Sequence, residues 1–133
     1  MNMGVKIYGG RELAAKLKTL SDGVAGRALE RAATSGALLI QNAAKTKAPF
    51  RTGNLRRSIH TETKERSRTK AVVQVGTDVV YGPRIEFGFS GTDKRGRRYN
   101  QPPHPYLRPA MDEQKDNVAR EAGEALKILL GKV

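Results

Sequence analysis

The side chains best able to do chemistry in this chain are two histidines, His60 and His104, and thirteen carboxylates. Two histidines one helical turn apart, as in HExxH, would hold a metal ion and set a glutamate beside it as a base. Here they fall in different segments, His60 in an expected strand and His104 between prolines. The carboxylates are scattered, and no two share a spacing that would set a general acid against a general base. Gly88, Gly91 and Gly96 lie in a basic stretch, but GxxxxGK[ST] and GxGxxG are both missing, as is the strand-to-helix context they need. With no cysteine there is no disulfide and no thiolate ligand. The expectation is a protein that is not an enzyme, uses no metal or cofactor and takes no small-molecule substrate.

Cations are what the sequence has in excess. Lys and Arg number 25 against 13 acids, a formal charge of +12. Such a field favours polyanions, nucleic acid and acidic protein faces among them. The charge sits mid-chain: residues 45–70 hold nine cations and two acids, and residues 84–108 hold six and two. Three clusters are candidates to face a DNA channel: Lys47, Arg51 and Arg57; Lys64, Arg66, Arg68 and Lys70; and Lys94, Arg95, Arg97 and Arg98. Each phosphate contact would add salt dependence to binding. No helix-turn-helix pattern, zinc-finger spacing or aromatic-studded strand is present to read bases. The expected association is non-specific proximity to double-stranded DNA, with a solvated charged rim as the plain alternative.

The elements that position these residues emerge from periodicity. Leu13, Leu17 and Leu20 mark one helical face over 11–20, and Ser21 or Asp22 can cap the next helix. Residues 24–48 predict that helix, long and Ala-rich, weakened at Gly36 and ended by Pro49. Strands are expected over 58–63 and 70–76, joined by the polar KERSRTK, so that 60–72 forms an extended hairpin. Residues 79–89 read either as a third strand or as a short helix with Pro83 in its first turn. Residues 89–105 read as a long loop. A last helix is expected from Pro109 to Leu130, with Asp112, Glu113 and Asp116 in its first turns and Gly131 closing it. The sum is one α+β domain over residues 1–133, a small antiparallel sheet packed against a long helix in the N-terminal half and a C-terminal helix.

Aromatic residues are as localised as the charge. Tyr81, Phe87, Phe89, Tyr99 and Tyr106 fall close together, and Phe50 stands alone between Tyr8 and Tyr81. Aromatics around a basic loop suit an interface, where they anchor contacts, or else fill the core above the sheet.

Three blocks carry a resemblance. AKTKAPFRTGNLRRSI contains Pro49, Thr52, Gly53, Leu55, Arg56, Ser58 and Ile59. VVYGPRIEFGF contains Tyr81, Glu86, Phe87, Gly88 and Phe89, and PPHPYLRPAMDE contains His104, Pro105, Tyr106, Leu107 and Arg108. In this order they resemble the head–tail joining or tail completion proteins of long-tailed phages, small tail-component proteins similar to the Z-type completion protein of lambda-like phages. The resemblance implies a virion structural protein of the neck, between the head-closure (stopper) proteins and the tail tube or its terminator. It implies a ring of copies, a hexamer by the symmetry of the tail, with DNA passing through it. It makes the residues of the three blocks, with Tyr99, candidates for contacts between subunits or with partners.

The alternative is a small basic DNA-binding protein without sequence preference. No apolar run approaches the roughly 20 residues that span a bilayer, and no signal-peptide core opens the chain, so no membrane role is expected. The expected location is the host cytoplasm during assembly and then the virion.

Overall fold

The computed structural model describes residues 2–8, 22–50, 52–92 and 94–131. Its elements are β1 (Asn2–Tyr8), α1 (Asp22–Lys47), α2 (Asn54–Ser58), β2 (His60–Arg66), β3 (Lys70–Gly76), α3 (Gly82–Phe87), β4 (Phe89–Thr92), β5 (Arg98–Gln101) and α4 (Leu107–Gly131). The fold is α+β, as expected. The helix expected over 11–20, Ser21 and Arg51 lie outside the described residues.

The long helix α1 organises the core. Ala25, Leu29, Ala33, Ala37, Ile40, Ala44 and Ala48 recur every three or four residues and are buried. That stripe packs on the sheet on one side and on α4 on the other. The small side chains let α4 come close. At Gly36 a Cβ would lie 2.7 Å from Val118 Cγ1, so the glycine that weakens the isolated helix is the point where the two helices touch. Lys45 and Lys47 in the last turn complement the helix dipole.

The first sheet has the order β1-β3-β2, all antiparallel. The β-branched run of β3 takes the centre, with Ala71, Val73 and Val75 facing the core. The edge strand β2 is almost wholly exposed and its register slips between Thr63 and Glu65. Strand β1 is an addition to the expected elements, although Met3, Val5 and Ile7 alternate with Gly4 and Lys6 at the period of a half-buried strand.

Three further expectations are corrected, and one open reading is settled. The chain does not pass from the Pro49 corner straight into a strand; Asn54–Ser58 form a short helix first, and the strand starts at His60. Gly53, at φ 83, makes the left-handed turn into it. Residues 79–89 resolve to the helical reading, with Pro83 in the first turn of α3, where its missing N–H costs nothing. Residues 89–105 are not all loop: β4 and β5 pair into a two-stranded antiparallel ribbon, Phe89 opposite Gln101 and Thr92 opposite Arg98. Finally, α4 begins at Leu107 rather than Pro109. Pro109 still falls in the first turn, but Asp112, Glu113 and Asp116 lie deeper, because the end of this helix is capped from elsewhere in the chain.

Candidate functional site

The three sequence blocks meet at one end of the molecule. Glu86, on α3 and only 4% exposed, aims its carboxylate at the start of α4. Oε2 accepts the backbone N–H of Tyr106 at 2.6 Å and of Leu107 at 3.0 Å, and Oε1 accepts that of Arg108 at 2.9 Å. These are donors that a helix start leaves without intrahelical partners, and the dipole there favours a negative charge. The Tyr106 hydroxyl donates to the Gly82 carbonyl at 3.0 Å, and His104 N–H donates to the Ile85 carbonyl at 2.7 Å. Burial, and then the neighbouring Glu86 charge, push the Tyr106 phenol up to about 12.

The first block is tied in by hydroxyls. Ser58 Oγ donates to the Leu55 carbonyl at 2.6 Å and shares a 2.6 Å hydrogen bond with Thr77, whose own hydroxyl accepts the Val79 N–H at 3.1 Å. Thr52 Oγ1 accepts the Asn54 N–H at 3.4 Å. These contacts hold α2 against the turn that leads into α3 and leave a groove between them. The groove has a volume of about 720 Å³. Pro49, Thr52, Gly53 and Leu55 form one wall, Tyr81 and Ile85 the other, and Gln101 and His104 close one end. Among the described residues no acidic one lines it.

Exposed apolar side chains adjoin the lining residues along the chain, Phe50 next to Pro49 and Val80 next to Tyr81. Phe50 is 65% exposed with the Arg56 guanidinium 4.8 Å from its ring centre; Val80 is 86% exposed and Phe87 71%. Tyr81 is exposed as well. Phe87 also lines a second hollow on the far side of α3, with Lys47, Pro105 and Arg108.

A profile of the family described as "Bacteriophage HK97-gp10, putative tail-component" matches residues 11–88. The chain belongs to this family. The match takes in the first block and the second as far as Gly88; the third block, which Glu86 holds in place, lies beyond it. No curated protein and no solved structure matches the chain. Family membership supports a structural protein of a phage tail, and hence of the virion.

The sequence-predicted residues divide accordingly. Pro49, Thr52, Tyr81 and His104 are exposed at the groove, and Phe87 is exposed at the second hollow. Phe89, Gly88, Arg56 and Ser58 are half-buried, and Pro105 and Arg108 are exposed. Gly53, Leu55, Ile59, Glu86, Tyr106 and Leu107 are buried within the chain. These six build the end that carries the surface, and Gly53 and Leu55 still line the groove itself. Apolar bulk removes Leu55, Ile59 and Leu107 from water, and three N–H groups hold Glu86 inside. Tyr99 lies in β5.

The basic clusters also separate. Arg57 folds back on its own turn, donating to Asn54 Oδ1 at 2.7 Å and to the Thr52 carbonyl at 3.4 Å. Lys47 pairs with Glu113 at 2.6 Å. On the β2–β3 hairpin Lys64 pairs with Glu62, Lys70 with Glu65 and Arg66 with Glu30. Lys94, Arg95, Arg97 and Arg98 are exposed along the ribbon. Among the described residues no group of His, Asp and Glu is placed to hold a metal ion, and no helix is long and apolar enough to cross a membrane.

Proposed function

We propose that this tail-component protein acts in the phage neck as a single domain, joining the head-closure proteins to the tail tube or its terminator. Copies assemble as a six-fold ring around the DNA path. The observation that carries the reading is the groove between α2 and α3, lined by exposed Tyr81, with the exposed Phe50 and Val80 next to its lining residues in the chain and the exposed Phe87 at a second hollow beyond α3. Exposed aromatics grouped around a concavity are the anatomy of a protein interface rather than of a solvated end. A ring needs a heterologous contact, one face of each copy fitting a different face of the next, and a groove flanked by projecting side chains offers both halves.

The test is assembly with altered rims. With Phe50→Ala, Tyr81→Ala or Phe87→Ala, heads and tails should accumulate unjoined while the purified protein unfolds at nearly the parental denaturant midpoint. Electron microscopy of the normal particle should place the chain in a six-fold neck layer. Unchanged yields of infectious particles from all three variants would defeat the reading.

A further inference from the structure

We infer that the β4–β5 ribbon is a duplex-DNA contact arm, binding the phosphate backbone without reading sequence. Strand register decides which side chains share a face. Ser90 stands opposite Asn100 and Thr92 opposite Arg98, and alternation along each strand puts these four on one face. All four are exposed. Every side chain on that face is a hydrogen-bond donor and none is acidic. The other face is used by the protein itself. Phe89 lies beneath the Arg84 guanidinium, 4.2 Å from ring centre to carbon, and a side chain at Gly91 would meet the Phe89 ring at 3.0 Å. The ribbon is thus moored by one face and offers donors on the other.

Its tip adds charge. Residues 89–101 hold four cations against one acid, Asp93. Gly96, at φ 80, turns the chain between Arg95 and Arg97. Seryl, threonyl, asparaginyl and arginyl side chains are those that contact phosphate oxygens in protein–DNA interfaces, and a two-stranded ribbon is narrow enough to follow a groove. The other basic clusters fit this role less well. On the β2–β3 hairpin Lys64 and Lys70 pair with the hairpin's own Glu62 and Glu65 and Arg66 pairs with Glu30 of α1, while Arg57 donates into its own turn.

The inference rests on the neck reading only for the DNA it would meet in the particle; binding is measurable on the free protein. The probe is a fluorescent duplex of about 30 base pairs, titrated by anisotropy from about 50 to 300 mM NaCl. The parent should bind duplexes of unrelated sequence alike. Lys94→Ala/Arg95→Ala/Arg97→Ala/Arg98→Ala should weaken binding roughly tenfold or more at about 100 mM and reduce the slope of log K against log salt by about 3 to 4. Ser90→Ala/Thr92→Ala/Asn100→Ala should weaken it several-fold with the slope unchanged. Arg95→Lys/Arg97→Lys/Arg98→Lys should keep most of the parental affinity, which a collapsed ribbon would not. Lys64→Ala/Arg66→Ala/Lys70→Ala should bind nearly as the parent does. The assignment is overturned if the parent shows no binding at the lowest salt, or if the hairpin variant loses more affinity than the ribbon variant. Head–tail joining by the same ribbon variants judges the neck reading separately.

Discussion

Glu86 and Tyr106 hold each other from opposite ends of two helices. The carboxylate of Glu86 accepts the Tyr106 N–H at 2.6 Å, while the Tyr106 ring, fully buried, returns its hydroxyl to the Gly82 carbonyl one helical turn before Glu86. Both contacts span the ribbon, so the chain leaves α3, makes the hairpin and is brought back to the same place. The groove exists because this closure fixes Ile85 and His104 relative to each other.

Removing the carboxylate should therefore cost more than a surface change. Glu86→Ala strands three N–H groups at a buried helix start and is expected to lose about 3 kcal/mol or more, since each unsatisfied buried donor costs about 1–3 kcal/mol. Glu86→Gln keeps one acceptor oxygen and should lose about half as much. Urea unfolding of the two variants gives the order; equal losses would mean that volume rather than hydrogen bonding matters here.

Tyr106 makes stability depend on pH in the alkaline range. Its phenol ionises near pH 10 when unfolded and is raised to about 12 in the fold. Below pH 10 both states hold the proton and the native hydrogen bond is fully present. As pH rises from 10 to about 12 the unfolded state loses its proton first, so this contribution to stability falls. Tyr106→Phe should be about 1 kcal/mol less stable near pH 8, and that difference should shrink steadily above about pH 10. A gap that stays constant across that range would place the phenol in a wetter site than the structure gives it.

At the crossing of α1 and α4, Gly36→Ala sets two effects against each other. Alanine favours the helix by about 1 kcal/mol, but its Cβ arrives 2.7 Å from Val118 Cγ1. Overpacking a close crossing costs about 1–3 kcal/mol, so a net loss is expected. Adding Val118→Ala to Gly36→Ala should cost less than Val118→Ala does in the parent. Denaturation of the four proteins as a double-mutant cycle measures the coupling.

Gly53→Ala should be destabilising by about 1–2 kcal/mol, because φ 83 is unfavourable with a Cβ and that atom would meet Phe50 and Arg57 at 2.8 and 2.9 Å. Both neighbours are side chains at the rim, so the groove wall should shift while the core remains. A quenching or proton-exchange probe at the rim should change before the unfolding midpoint falls by more than this amount.

What the sequence reveals depends on how far apart the interacting residues lie. The Ala stripe of α1 and the Val run of β3 rest on near neighbours in the chain, and both are legible from periodicity alone. Pro83 leaves two readings for 79–89 because a strand edge and a helix first turn both tolerate proline; the fold selects the helix, from which Glu86 meets its three N–H groups. The ribbon reads as loop because Ser, Gly, Arg and Asn have no strand preference, and its pairing is held by Phe89 and the return at His104. The groove is the least visible feature. Its walls come from three blocks brought together by the buried Glu86–Tyr106 contacts and the Ser58–Thr77 hydrogen bond, and nothing in the spacing of an isolated glutamate announces a cap on a helix so far along the chain.

The close crossing at Gly36 and Val118 joins parts of the chain separated by most of its length. A nascent chain that has not yet delivered residues 106–126 to the folding compartment has an unpaired α1 face and no donor set for Glu86. The groove is then a timer as well as a shape. Partial products cannot present a finished groove, so only a chain complete through the start of α4 displays that surface.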